Sequence, residues 1–353
     1  MDEFVCARCG AVLTAAVSRV ALPTHANQQV WHILLPALMA AGTYAVDPEP
    51  SGPPWRLWDE VGSEEAEARG VFAPVFSLSF GPAGAIVVAP GDTRGTVLIP
   101  ERCDGYCMGL DGRDGPNLAC AQCGQAVATR IDDCSLWQAV WFVPAAVRRV
   151  ASLGPVSPPL SWDTLVKQRQ VVYPVDARGI WSARWEAAIG MSLAHLLASS
   201  AGSPVTVPHG LLQPTFGRAL DVLIPAGTTP KRLVLAGPEL PASLEDADLL
   251  LAPVHPQTGL AWRPPGNAVT VPLDADIWTY LAFDEGRSPM PATGGMPDGV
   301  LRDDPLPMRP LSMFDPDVQV FLHTLARLPA VRHPWLRAIF DRATEQQRFA
   351  RCW

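Results

Sequence analysis

Cys120-Ala121-Gln122-Cys123-Gly124 repeats a pattern already present at the start of the chain, Cys6-Ala7-Arg8-Cys9-Gly10. Two thiolates three residues apart reach one metal only where the backbone turns sharply, and a glycine directly after the second cysteine supplies the positive-φ freedom such a turn needs. The same turn aims backbone N–H groups at the sulfurs. Four thiolates about 2.3 Å from a tetrahedral Zn2+ leave no position for water or substrate, so a site of this kind is structural. The two knuckles are therefore expected to be halves of one zinc site, with Cys6, Cys9, Cys120 and Cys123 as ligands. A single Cys-x-x-Cys is also a thiol redox motif; two with the same trailing glycine favour a metal.

The spacing between the knuckles is unusual. A plain ribbon places about 15–20 residues between its cysteine pairs, whereas over a hundred separate Cys9 from Cys120. Either a domain is inserted into the ribbon, or the ligands are the compact set Cys103, Cys107, Cys120 and Cys123. The matched pair is preferred because Cys103-Asp104-Gly105-Tyr106-Cys107 has one residue too many and no glycine after it. A second metal on Cys103, Cys107, Cys134 and a histidine is a further alternative, with nothing in the sequence to fix the fourth ligand.

The 353 residues suffice for about two domains with cores of their own. They are 48% hydrophobic and 18% charged, an ordinary globular composition. A formal charge of −8 argues against non-specific nucleic-acid binding, which relies on basic side chains at phosphates. Lys167 and Lys231 are the only lysines, a bias that carries no functional reading. No basic-then-apolar leader and no membrane-length apolar run is evident, so a soluble cytoplasmic protein without a membrane partner is expected. Reducing surroundings keep thiols available to metal.

The fold class expected is α+β. Residues 1–150 form a zinc ribbon split by a long α+β insertion, 151–170 a linker rich in proline, serine and glycine, and 171–353 an α/β layer domain ending in two helices. Within the first part, 11–22 read as the outgoing strands of a ribbon hairpin, and 27–41 as a helix through Val30, Trp31, Leu34, Leu35 and Leu38. Residues 47–58 are too rich in proline for regular structure, with Trp55 and Trp58 packed down. A short acidic helix at 60–69 precedes strands at 75–80, 85–89 and 96–99, and Asp92 is expected to cap its own turn. The glycine-rich run 105–117 lacks the closing glutamate of an EF-hand and reads as the loop that places the second knuckle. In the second part a helix starts at Ser182, strands follow at 205–207, 232–236, 249–254 and 268–271, and Asp274 with Asp276 heads a helix to Phe283. Asp315-Pro316 and His333-Pro334 start the last two helices.

Gly91-Asp92-Thr93-Arg94-Gly95, the run Gly109-Leu110-Asp111-Gly112-Arg113-Asp114-Gly115-Pro116-Asn117-Leu118-Ala119-Cys120, and Ala128-Thr129-Arg130-Ile131-Asp132-Asp133-Cys134 resemble uncharacterised zinc-ribbon-containing proteins of actinobacteria. The resemblance covers about the first 150 residues and implies a source, not an activity.

No Walker loop, dinucleotide turn, nucleophile elbow or His-Glu-x-x-His is present. The expected function is a zinc-stabilised binding or assembly protein with a protein partner. The alternative is an enzyme whose site lies in the C-terminal part, which would require a polar pocket converging on His195, His209, His255 or Asp276.

Overall fold

The structure, a computed structural model, describes residues 1–26, 34–151, 158–168, 170–176, 178–224, 227, 229–240, 247–264, 266, 268–283, 310 and 312–350, with side chains to 346. The chain divides into two compact units, Met1–Pro159 with Pro256–Gly259, and Leu160–His255 with Leu260–Trp353.

In the first unit the strands are β1 (Asp2–Cys6), β2 (Ser18–Arg19), β3 (Thr43–Asp47), β4 (Trp55–Leu57), β5 (Ser77–Ser79), β6 (Ala85–Val88), β7 (Thr96–Leu98), β8 (Leu118–Cys120), β9 (Ala126–Ile131), β10 (Ala139–Phe142) and β11 (Val147–Ala151). Two short helices, α1 (Trp58–Val61) and α2 (Ser63–Ala68), follow β4. A seven-stranded sheet runs in the order β2-β3-β6-β10-β9-β8-β7. Its middle strand β10, Ala-Val-Trp-Phe, is buried at every position, the signature of a strand covered on both faces. Phe4, Leu13, Tyr44, Val127, Val140 and Phe142 form the core with Cys6 and Cys120 among them.

A separate antiparallel pair, β1 with β11, closes this unit by placing Cys6 opposite Val147 and Asp2 opposite Ala151. It ties the start of the chain to the unit's last strand. The expected outgoing strands at 11–22 reduce to single bridges, Val5 to Val12 and Asp2 to Val17, followed by β2. Of the helix expected at 27–41, residues 27–33 lie outside the described residues. The remainder is not helical: Ala37 bridges Gln138, and Pro36, which has no N–H to give a helix, accepts from Gln138 N–H at 3.2 Å instead. Asp92 does not cap its own turn. It is buried, and its Oδ2 accepts from the distant Gly42 N–H at 2.8 Å.

The second unit holds α3 (Trp162–Gln168), α4 (Ala183–Ser200), β12 (Val205–Thr206), α5 (Arg218–Leu223), β13 (Lys231–Leu235), β14 (Leu249–Val254), β15 (Val269–Asp274), α6 (Ala275–Phe283), α7 (Val318–Arg327) and α8 (Pro334–Ala350). Helix α3 falls inside the stretch read as linker. All neighbours in the four-stranded sheet β12-β13-β14-β15 are parallel. Helix α4 packs on β15 and on α7, and Ser192 Oγ donates to Pro272 O at 2.6 Å. Gly190 lets the start of α7 approach: a Cβ there would stand 2.5 Å from Asp317 O. Asp274 caps α6 by accepting from Asp276 and Ile277 N–H, and Asp317, not Asp315, caps α7 by accepting from Gln319 and Val320 N–H. Residues 294–309 lie outside the described residues. The chain as a whole is thus a mixed α+β protein with several sheets and helices.

Candidate metal centre

Each knuckle is the turn of a hairpin, and the two turns are built alike. β1 ends at Cys6 and β8 ends at Cys120. Cys6 N–H donates to Ala11 O at 2.8 Å, and Cys120 N–H donates to Gln125 O at 2.8 Å. Gly10 N–H returns to Cys6 O at 2.9 Å and Gly124 N–H to Cys120 O at 2.8 Å. Both glycines adopt positive φ, 75° and 74°, which any other residue would hold only with strain. Even the residue after the first cysteine is used the same way: Ala7 N–H donates to Ala146 O and Ala121 N–H to Gly95 O, both at 2.9 Å. The repeated pentapeptide is therefore a repeated conformation, and each copy is anchored to a different neighbouring segment.

These anchors bring the four thiols together. The sulfurs of Cys6, Cys9, Cys120 and Cys123 all lie within 4.8 Å of one another. Cys6 Sγ is 3.7 Å from Cys123 Sγ, and Cys9 Sγ is 3.6 Å from Cys120 Sγ. A tetrahedron with ligands about 2.3 Å from its centre has edges of about 3.8 Å. Both distances match that edge, and none of the four is in a disulfide. Cys6 and Cys120 are fully buried in the core, while Cys9 and Cys123 are half-buried beside it. Four residues from two hairpins thus present one donor atom each to a common point able to hold a metal ion.

The electrostatics of the group point the same way. Burial pushes the Cys6 thiol up, but the N–H groups of Cys9 and Arg8, followed by the Cys123 and Cys9 thiols, outweigh it and bring Cys6 down to about 7. The turn does aim backbone donors at sulfur. At Cys9 the Ala11 N–H pulls downward, yet burial and the Cys123, Cys120 and Cys6 thiols win, and Cys9 is pushed up to about 12. The thiols interact, so a negative charge on one opposes a charge on the next. Full ionisation of four clustered thiols requires a cation among them.

Cys103, the pivot of the compact ligand set, stands apart from this group. Its thiol donates to Ile99 O at 3.1 Å, and burial raises its pKa. Cys107 and Cys134 do come together, but with Asp133 in place of Cys103 and a histidine, all three offering a ligand atom within 4.8 Å of the others. Among the described residues these are the two groups of three or more His, Cys, Asp or Glu side chains within ligand reach. His195, His209, His255 and Asp276 belong to neither. His255 Nε2 lies 2.9 Å from Leu160 O with its ring edge-on to Trp162, and burial holds His195 below the usual histidine range. A cleft in the second unit is lined by Trp181, Trp185, Pro214, Tyr280 and Phe314, and none of those histidines lines it.

Asp133 was not singled out as a ligand from the sequence. Its one signal is position, directly before Cys134. Gln125, whose Oε1 accepts from Cys6 Sγ–H at 3.8 Å, was likewise missed, though it directly follows a knuckle glycine.

No family model matches the chain, and no curated protein or solved structure is significantly similar to it. Among the described residues no helix is long and apolar enough to cross a membrane.

Proposed function

We propose that the chain is a zinc-stabilised protein-binding module, with a structural Zn2+ on Cys6, Cys9, Cys120 and Cys123. Four thiolates in a closed tetrahedral group select zinc over oxygen-seeking cations and leave no coordination position for chemistry. The two knuckles then make a zinc ribbon into which residues 11–119 are inserted.

The observation that supports a binding role is the outer strand of the seven-stranded sheet. β7, Thr96–Leu98, carries neither charge nor proline, and Val97 and Leu98 are 51% and 48% exposed. Among the described residues no strand pairs with its outer side. Edge strands are usually blunted by shortness, lysine, proline or a bulge; of these β7 has only its shortness, three residues, and its uncharged apolar edge is open to an added strand. β7 pairs with β8, which ends at Cys120, and Ala121 N–H holds Gly95 just before it. The metal knuckle thereby keeps the edge in place. The partner is an extended protein segment with alternating apolar residues, and the charge of −8 counts against nucleic acid in that role.

Selection of displayed random peptides on the full-length protein tests this. Extended peptides with alternating apolar residues should be recovered on the wild type and not on Leu98→Lys, with the metal content of the two proteins equal. Recovery of the same peptides on both would remove the edge strand from the account.

A further inference from the structure

We propose that Cys107, Asp133 and Cys134 form a second metal site, open on one side, that takes a thiophilic divalent cation such as Zn2+ and leaves a fourth coordination position for water or an added ligand. It is separate from the four-cysteine group and shares no residue with it.

The placement comes from two loops. Cys107 lies in the glycine-rich run after β7, and Asp133 and Cys134 lie between β9 and β10. Backbone contacts fasten these loops to each other: Leu110 bridges Asp132, and Asp132 N–H donates to Leu110 O at 3.0 Å. The first loop is folded on itself by Gly105 N–H to Gly109 O at 3.2 Å and Gly109 N–H to Tyr106 O at 3.0 Å. The three ligands are thus held in position by the main chain before any ion binds.

Asp133 indicates an ion most directly. The residue is 3% exposed. One carboxylate oxygen, Oδ2, accepts from Met108 N–H at 3.1 Å, and the other, Oδ1, is buried and accepts no hydrogen bond. Without a cation the carboxylate's other neighbours are the Cys107 and Cys134 thiols, of which Cys134 interacts with it, whereas a cation shared by all three groups would satisfy the buried charge more fully. That arrangement also argues against Cys107 and Cys134 as a redox pair. A neighbouring carboxylate disfavours the thiolate that must attack in disulfide exchange, whereas a metal turns all three groups into ligands.

The site is open by composition. Cys107 is exposed, and Cys103, its neighbour in sequence, directs its thiol to Ile99 O instead. Three protein ligands with one position left over is the pattern of zinc sites that keep an exchangeable water, in contrast to the closed four-thiolate group.

Elemental analysis of the full chain, purified under reducing conditions and freed of loose metal, should find two zinc ions per chain. Cys134→Ser and Asp133→Asn should each retain one, which also shows that the four-cysteine site and its unit remain folded. With cobalt(II) in place of zinc, imidazole should shift the visible bands of the wild type and leave those of Cys134→Ser unchanged. One zinc per wild-type chain, unaltered in both variants, would overturn the site, as would a Cys107–Cys134 disulfide in wild type carrying a single zinc. Cobalt bands indifferent to imidazole would overturn the open position. Should either variant fail to fold, Cys107→Ser, at an exposed position, takes its place: loss of one zinc is expected, and retention of the wild-type content would overturn the site.

Discussion

Replacing Glu186 with glutamine should change how the stability of the second unit depends on pH. Glu186 sits in the first turn of α4, where its backbone carbonyl accepts from Asp317 N–H at 2.9 Å, so its carboxyl lies near the acidic start of α7. Burial, followed by the charges of Asp317 and Asp315, pushes its pKa from 4.5 up to about 8. A raised pKa means that the folded state holds its proton where the unfolded chain has released it. The stability this represents is fully present below pH 4.5 and is lost as pH rises toward 8. At 1.36 kcal/mol per unit, the loss between pH 4.5 and pH 7 is about 3 kcal/mol. Glutamine keeps the shape and has no proton to release. Glu186→Gln should therefore match wild type near pH 4.5 and exceed it progressively above, by about 2–3 kcal/mol at pH 7. Urea unfolding of both proteins at half-unit steps from pH 4.5 to 8 reads this directly, since the other titrating groups cancel in the difference. Parallel profiles across that window would refute the buried, proton-retaining carboxyl.

Two further substitutions test the packing that holds each unit. Gly190→Ala gains about 1 kcal/mol in helix propensity, but its Cβ would stand 2.5 Å from Asp317 O, backbone that cannot swing aside. Overpacking should win and give a net loss of about 2 kcal/mol in thermal or urea unfolding of the second unit; an unchanged or raised midpoint would contradict the close α4–α7 contact. In the first unit, Asn117 is fully buried, donates to Arg130 O at 2.9 Å and accepts from Arg130 N–H at 2.7 Å, acting as a side-chain rung beside the register shift at Leu118. Asn117→Ala leaves both backbone groups unmatched and should cost about 2–4 kcal/mol, whereas a loss below 0.5 would mean that water replaces the rung.

What could be read in the sequence was whatever local chemistry determines. The paired knuckles were legible because Cys-x-x-Cys followed by glycine encodes one turn, and both copies take it with matching hydrogen bonds. Strands at Ala85–Val88 and Leu249–Val254 announce themselves as continuous apolar runs. Helix α8 was marked by proline at its first position and α6 by the aspartates at its head. Features that depend on distant partners were not legible. The β1–β11 pair joins the two ends of a unit, and Asp2–Cys6 shows no clean alternation to mark it as a strand. The apolar spacing at 27–41 read as helical although Pro36 interrupts it, and the described part pairs with Gln138 instead. Two aspartates two residues apart compete to cap α7, and only the backbone geometry favours Asp317 over Asp315. Asp133 carries no ligand signature in sequence, because a carboxylate becomes a candidate ligand through what it is buried against.

If one zinc joins two knuckles more than a hundred residues apart, the number of slowly exchanging zinc ions per chain should report it. Binding to such sites supplies folding free energy on the order of 10 kcal/mol in small zinc-finger peptides, so the ion should resist a competing chelator until the first unit unfolds. With an excess of chelator stripping the open three-ligand site, one resistant zinc should remain in wild type and in Cys103→Ser, and none in Cys6→Ser or Cys120→Ser, which should also lose the folded first unit. Resistant zinc retained in Cys6→Ser, or lost in Cys103→Ser, would contradict it.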